Sequence, residues 1–181
     1  MTDPIASVLS FWFETLEPKD WFMSSEKTDD AIRNRFADLY SDAQAGRLDH
    51  WMDTADGALA LVILLDQFPR NMFRNTARMY GSDEQAMDVS RRAVAENLDK
   101  KVPKERRIFL YLPFEHSENL EDQDFCCDLV KTLGDETYLD YAEAHRRVIR
   151  RFGRFPHRNA ILGRESTAEE VEFLKEEGSS F

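Results

Sequence analysis

The amino-acid sequence predicts an all-α fold, an antiparallel helical array of about eight helices forming a single domain over residues 1–181. Three observations predict it. Apolar residues recur at three- and four-residue spacing in one segment after another, no useful length alternates with the two-residue period of a half-buried strand, and helix start and stop signals bracket the segments. At 181 residues, 42% apolar and 12% aromatic, the chain can bury a genuine core.

The first helix opens at Asp3-Pro4, where Asp3 caps free amides and Pro4 loses nothing by lacking one, and carries Ile5, Val8, Leu9, Trp12 and Phe13 on one face. After a linker around Pro18, Trp21 and Phe22 read as anchors onto the core. A second helix starts near Thr28 with Ile32, Phe36, Leu39, Tyr40 and Ala43 inward, and Gly46 is its left-handed stop. A short turn carries Leu48 and Trp51. From Gly57 the chain is apolar all round through Leu65, which marks a helix surrounded by other helices. Phe68 precedes Pro69, a position that disfavours helical geometry and predicts a turn there. Further helices are expected over residues 82–97 and 104–112, the second ending or kinking at Pro113. Asn119, followed by Glu121, Asp122 and Asp124, starts a helix that stops at Gly134, and the next covers residues 135–152 with His145 inside its apolar stripe. Thr167-Ala168-Glu169-Glu170 is a capping box for the last helix.

Composition narrows the function classes. The net charge of -11 repels nucleic-acid phosphates and anionic lipid surfaces, so neither a nucleic acid nor a membrane is an expected partner. No run of 18 apolar residues occurs and the N-terminus lacks the pattern of a signal peptide, so cytoplasmic residence is expected. Cys126 and Cys127 are sequence neighbours that pair poorly with each other, and they read as inert core thiols of a reducing compartment. Charge is polarised, however. Residues 145–164 hold seven arginines and no acid, leaving -18 on the rest of a chain whose net charge is -11.

Three polar clusters stand out. Asp66 and Gln67 end the most apolar helix, where the carbonyl-rich terminus disfavours an anion, so Asp66 needs a donor; Arg70 and Asn71 follow at once. His116 lies between Glu115 and Glu118 just after Pro113, and a break in a helix lets polar groups converge. The basic turn of residues 152–159 brings Arg154, His157, Arg158 and Asn159 into a compact span, with Gly153 permitting a left-handed helix end. Phe68-Pro69-Arg70-Asn71 echoes Phe155-Pro156-His157-Arg158-Asn159. No HExxH or comparable metal spacing, GxSxG elbow or glycine-rich phosphate loop is present, so neither metal nor cofactor is expected.

Leu64-Leu65-Asp66-Gln67-Phe68-Pro69-Arg70-Asn71, His116-Ser117-Glu118, residues 152–159 and Leu162-Gly163-Arg164, in that order, resemble the bacterial domain-of-unknown-function family 924, as do the opening residues 8–13 and Trp21-Phe22. The resemblance implies a tetratricopeptide-like superhelix and brings no activity with it. Glu115 stands where the family pattern has Met, which shifts the expected partner of His116 to Glu118.

The expected function is binding of a small anionic molecule, a carboxylate or phosphate, in a polar cleft. Asp66, Gln67, Arg70, Asn71, Glu118, Arg154, Arg158, Asn159 and Arg164 are its candidate binding residues. His116, His145 and His157 are its candidate acid–base groups, suited to hydrolysis or isomerisation rather than redox chemistry. Two alternatives stay open: a superhelical scaffold that holds a peptide or protein segment, and a structural ion-pair network that joins helices.

Overall fold

The computed structural model describes residues 3–23 and 25–180, and among these every regular element is helical. Two compact units, Met1–Pro113 and Phe114–Phe181, organise the chain.

In the first unit, α1 (Pro4–Ser10) is capped by Asp3, whose carboxylate accepts from the Ile5 amide. A π-helical turn, Phe11–Thr15, continues it and is followed by the short α2 (Pro18–Phe22). Of the two expected anchors, Trp21 serves as one, donating its indole N–H to the Trp12 carbonyl at 2.8 Å. Phe22 remains 60% exposed but stacks on the buried Phe109, ring centroids 6.4 Å apart. Helix α3 (Glu26–Gln44) ends where Gly46 takes a φ of 74°, the left-handed conformation the sequence demanded.

The all-apolar segment is α4 (Ala55–Val62), capped by Thr54, and every residue from Gly57 to Val62 in it is buried. Gly57 is required by close approach: a Cβ there would stand 2.0 Å from the Trp51 carbonyl oxygen. A π turn, Ile63–Gln67, then passes directly into α5 (Phe68–Met72). Phe68 is therefore helical, with φ -61° and ψ -38°, and the turn expected before Pro69 does not form. The reason lies in the hydrogen bonds. Pro69 has no N–H to give the carbonyl four residues back, and the Ser82 hydroxyl donates to that Leu65 carbonyl instead, at 2.6 Å. Helix α6 (Asp83–Ala95) packs on α4. Phe11, Phe36, Phe68 and Trp12 form the aromatic core, with Phe36 and Phe68 centroids 4.8 Å apart.

Helix α7 (Ile108–Glu115) is preceded by a 3-10 turn at Lys104–Arg106 and runs through Pro113 to Glu115, two residues beyond the expected break. In the second unit, α8 (Leu120–Lys131) opens on Asn119, whose side chain accepts from the Glu121 and Asp122 amides. It forms a helical hairpin with α9 (Glu136–Phe152), which Asp135 caps and Gly153 stops at φ 68°. A 3-10 turn, Pro156–Arg158, leads into α10 (Asn159–Leu162), and α11 (Ala168–Phe173) carries the expected capping box. Val148, Ile149, Phe155 and Phe173 form one apolar cluster, with Phe152 against it.

Candidate functional site

In the first unit the π turn and α5 carry four sequence-predicted residues. Asp66 is fully buried and accepts from the Gln67 amide. Arg70 donates to the Asp66 carbonyl at 2.7 Å and, from both terminal nitrogens, to Asp83. Burial opposes the charge on Arg70, but Asp66 and Asp83 outweigh it and hold the guanidinium firmly protonated. Asn71 points elsewhere, donating to Asp29 at 2.8 Å, and Arg74 grips the same carboxylate from Nε and a terminal nitrogen, both at 2.7 Å. Burial would raise the Asp29 carboxyl, yet the hydrogen bonds from Arg74 and Asn71 bring it below the ordinary carboxylate range. Asp66 and Asn71 thus serve two separate clusters.

In the second unit the histidines converge. His145 sits in the apolar stripe of α9 and is buried, as its spacing predicted. Its Nδ1 lies 2.8 Å from the Tyr141 carbonyl; a carbonyl only accepts, so Nδ1 carries the proton and Nε2 is the acceptor nitrogen. Glu115 Oε1 stands 3.4 Å from the same Nδ1. Burial holds the His145 pKa down at about 3; the Tyr141 carbonyl opposes this, while His116, Arg158 and His157 add to it. The contact with Glu115 at neutral pH is therefore made by an uncharged imidazole. The ring centroids of His145 and His116 are 6.5 Å apart.

Phe155, fully buried, is the hub of the basic turn. The His145 ring meets it edge-on at 5.6 Å, the His157 ring lies at 5.6 Å, and the Arg158 guanidinium sits 4.5 Å from its centroid. Arg158 also donates to the His116 carbonyl at 3.0 Å. Burial, with the nearby Arg158 charge, lowers the His157 pKa to about 4. Two imidazoles, both neutral at pH 7, and one permanent cation therefore share one aromatic hub, and a third imidazole, His116, stands beside His145.

The remaining basic residues have internal tasks. Arg164 makes a two-pronged pair with Glu118 at 2.7 and 2.9 Å, and Glu118 also accepts from the Phe155 amide at 2.7 Å. Burial pushes the Glu118 carboxyl up, but the hydrogen bonds from Arg164 and Phe155 bring it lower than usual. Arg154 makes a second fork, on Glu170, at 2.6 and 2.8 Å. Asn159 joins the two pairs: its carbonyl oxygen accepts from Arg164, and its amide donates to Glu170. The Arg154 hydrogen bond, against the opposing effect of burial, takes the Glu170 pKa to about 2. Glu118, the partner expected for His116 from sequence, thus forms a fork with Arg164.

Sequence reading missed Glu170, Asp29, Asp83 and Gln123. Only Glu170 carried a local signal, its place in the capping box. Among the described residues no group of three or more His, Cys, Asp or Glu side chains is placed to hold a metal ion. Cys126 and Cys127 are both buried, and burial pushes both thiol pKa values up. No helix of the described residues is long and apolar enough to cross a membrane.

A family model described as bacterial protein of unknown function (DUF924) matches residues 8–178. A solved structure of a protein of unknown function from Agrobacterium tumefaciens, ATU0120, is 43% identical to this chain. The match covers 94% of this chain and 96% of that one, with a TM-score of 0.91. Among curated proteins none matches.

Proposed function

The chain belongs to the bacterial family of unknown function DUF924, which brings no activity with it, and we propose that it binds a small anion, a carboxylate or phosphate, at the histidine and arginine cluster of its second unit. The observation that carries this reading is the gathering of His145, His157 and Arg158 around the Phe155 ring, with the His116 ring beside that of His145. Arg158 supplies the fixed positive charge, and the two neutral imidazoles supply groups that accept a proton when an anion arrives. Arg154, Arg164, Glu118 and Asn159 contribute by pinning the turn, since they are engaged with one another and with Glu170. If the bound molecule reacts, the imidazoles are the acid–base groups, as hydrolysis or isomerisation requires. The two buried thiols support a reducing, cytoplasmic setting.

Anion binding beside a depressed imidazole is linked to proton uptake, because the new negative charge raises the pKa of its neighbour. Calorimetric titration of inorganic phosphate at pH 6.5, in buffers of differing ionisation enthalpy, is expected to show uptake of a proton that His157→Gln reduces. Absence of any heat or thermal shift with phosphate, sulfate and dicarboxylates would overturn the reading.

A further inference from the structure

His116 occupies the turn that follows α7, where the last carbonyls of a helix have no amide in the helix to accept from. Each carbonyl from 114 to 117 accepts a side-chain donor here. Gln123 Nε2, from the first turns of α8, donates to Glu115 at 2.6 Å and Ser117 at 2.8 Å and reaches Phe114 at 3.4 Å. Arg158 takes the fourth, that of His116 itself. Gln123 is fully buried, and exchanging its amide nitrogen and oxygen would set the oxygen against three carbonyl oxygens, so chemistry fixes its orientation.

That orientation leaves the Gln123 Oε1 buried with no hydrogen-bond donor among the described residues. A buried acceptor left unsatisfied is unfavourable, and a residue serving stability alone would avoid it. Gln123 therefore accepts a local disadvantage in order to hold the backbone on both sides of His116. The next residue in α8 toward the turn acts in the same direction: Asp122 accepts from the Ser117 hydroxyl at 2.7 Å.

We propose that Gln123 is the positioning residue for His116, fixing from α8 the backbone that presents this imidazole in the anion-binding cluster. The inference rests on the proposed function for the role of His116, but the placement is testable apart from it.

The test compares wild type with Gln123→Met, which keeps an unbranched side chain without its donors, and with Gln123→Asn, which keeps an amide one methylene shorter. Histidine Cε1–Hε1 resonances are titrated by NMR, His116→Ala supplying the assignment, and phosphate is then added. The expected result is a His116 titration midpoint displaced by about half a pH unit or more in Gln123→Met, with a smaller displacement in Gln123→Asn. Phosphate affinity is expected to fall about tenfold in Gln123→Met, approaching that of His116→Ala. A variant with reduced melting temperature but an unaltered His116 titration would reduce Gln123 to a helix cap and overturn the proposal. If Gln123→Met fails to fold, Gln123→Asn decides by the same criterion. If wild type itself does not bind phosphate, the proposed function fails while the His116 titration still judges the positioning role.

Discussion

The two Phe-Pro segments of the molecule, residues 68–71 and 155–159, differ by one inserted residue and in backbone, Phe68 being helical and Phe155 extended, yet share one pattern of side-chain contacts. In each the phenylalanine is fully buried, and the asparagine amide donates to a buried carboxylate that a nearby arginine grips from two nitrogens. Asn71, Asp29 and Arg74 form the first such triad; Asn159, Glu170 and Arg154 form the second. The arginine of the motif differs. Arg70 is clasped by Asp66 and Asp83, whereas Arg158 lies against the Phe155 ring and caps a carbonyl of the His116 turn. The insertion is His157, and two further imidazoles stand near the second turn. The repeated triad is thus a structural device, and the departures from it, His157 and the placement of Arg158, are where function is to be sought.

The largest expected effect tests the shared device. Removing one partner from a buried charge cluster leaves donors unsatisfied. Glu170→Ala is expected to destabilise by about 3 kcal/mol and Asp29→Ala by about 2 kcal/mol in urea unfolding. Glu170 costs more because it also accepts from the Thr167 amide in the capping box of α11. A Glu170 variant as stable as wild type would show that the second triad is not a clamp and would return Arg154 to the ligand site.

Acid separates the two turns next. The folded pKa of His157, about 4, lies below its ordinary value of 6.5, so the unfolded chain binds more protons between these limits. Its stabilising contribution is complete above pH 6.5 and declines as pH falls toward 4, amounting to about 3 kcal/mol. His145 adds a similar slope extending to about pH 3. His157→Gln should therefore flatten the fall in stability between pH 6.5 and 4 by roughly half. Asp29 and Glu170 shift in the same direction but act in a lower window: with folded pKa values also lowered, their contributions hold above the ordinary carboxylate range and are lost only as pH falls below it. An Asp29→Asn variant should accordingly keep a constant deficit from pH 7 to 4.5, and a deficit that changed there would break the contrast.

Much of this was legible from local chemistry. The left-handed stops at Gly46, Gly134 and Gly153, the caps at Asp3 and Asn119, and the Thr167 box each depend on a few adjacent residues, and all appear as read. The inward face of His145 followed from helical spacing alone. Illegible were features set by distant partners. Phe68 stays helical because Ser82, far along the chain, satisfies the carbonyl that Pro69 abandons. The π turns carry the same apolar pattern as ordinary helix and leave no mark in the sequence. Arg154 and Arg164 looked like ligand donors because Glu170 and Glu118, their acceptors, are separated from them by 16 and 46 residues. A cluster of arginines advertises positive charge, but only tertiary packing reveals which of them are already committed.

The smallest effects sharpen the comparison at the asparagines themselves. Asn71→Ala removes one hydrogen bond to Asp29 and is expected to cost about 1 kcal/mol. Asn159→Ala also releases Arg164 Nε and should cost about 2 kcal/mol. Aspartate substitutions reverse this order. Asn71→Asp sets a carboxylate against Asp29, where Arg74 must then serve two anions, so it should be worse than Asn71→Ala. Asn159→Asp brings a carboxylate toward Glu170 but retains the acceptor for Arg164, a guanidinium that strengthens its hold on a charged oxygen. Urea unfolding of the four variants decides the matter: if Asn159→Asp proves as damaging as Asn71→Asp, Arg164 does not extend the second triad, and the two triads are equivalent.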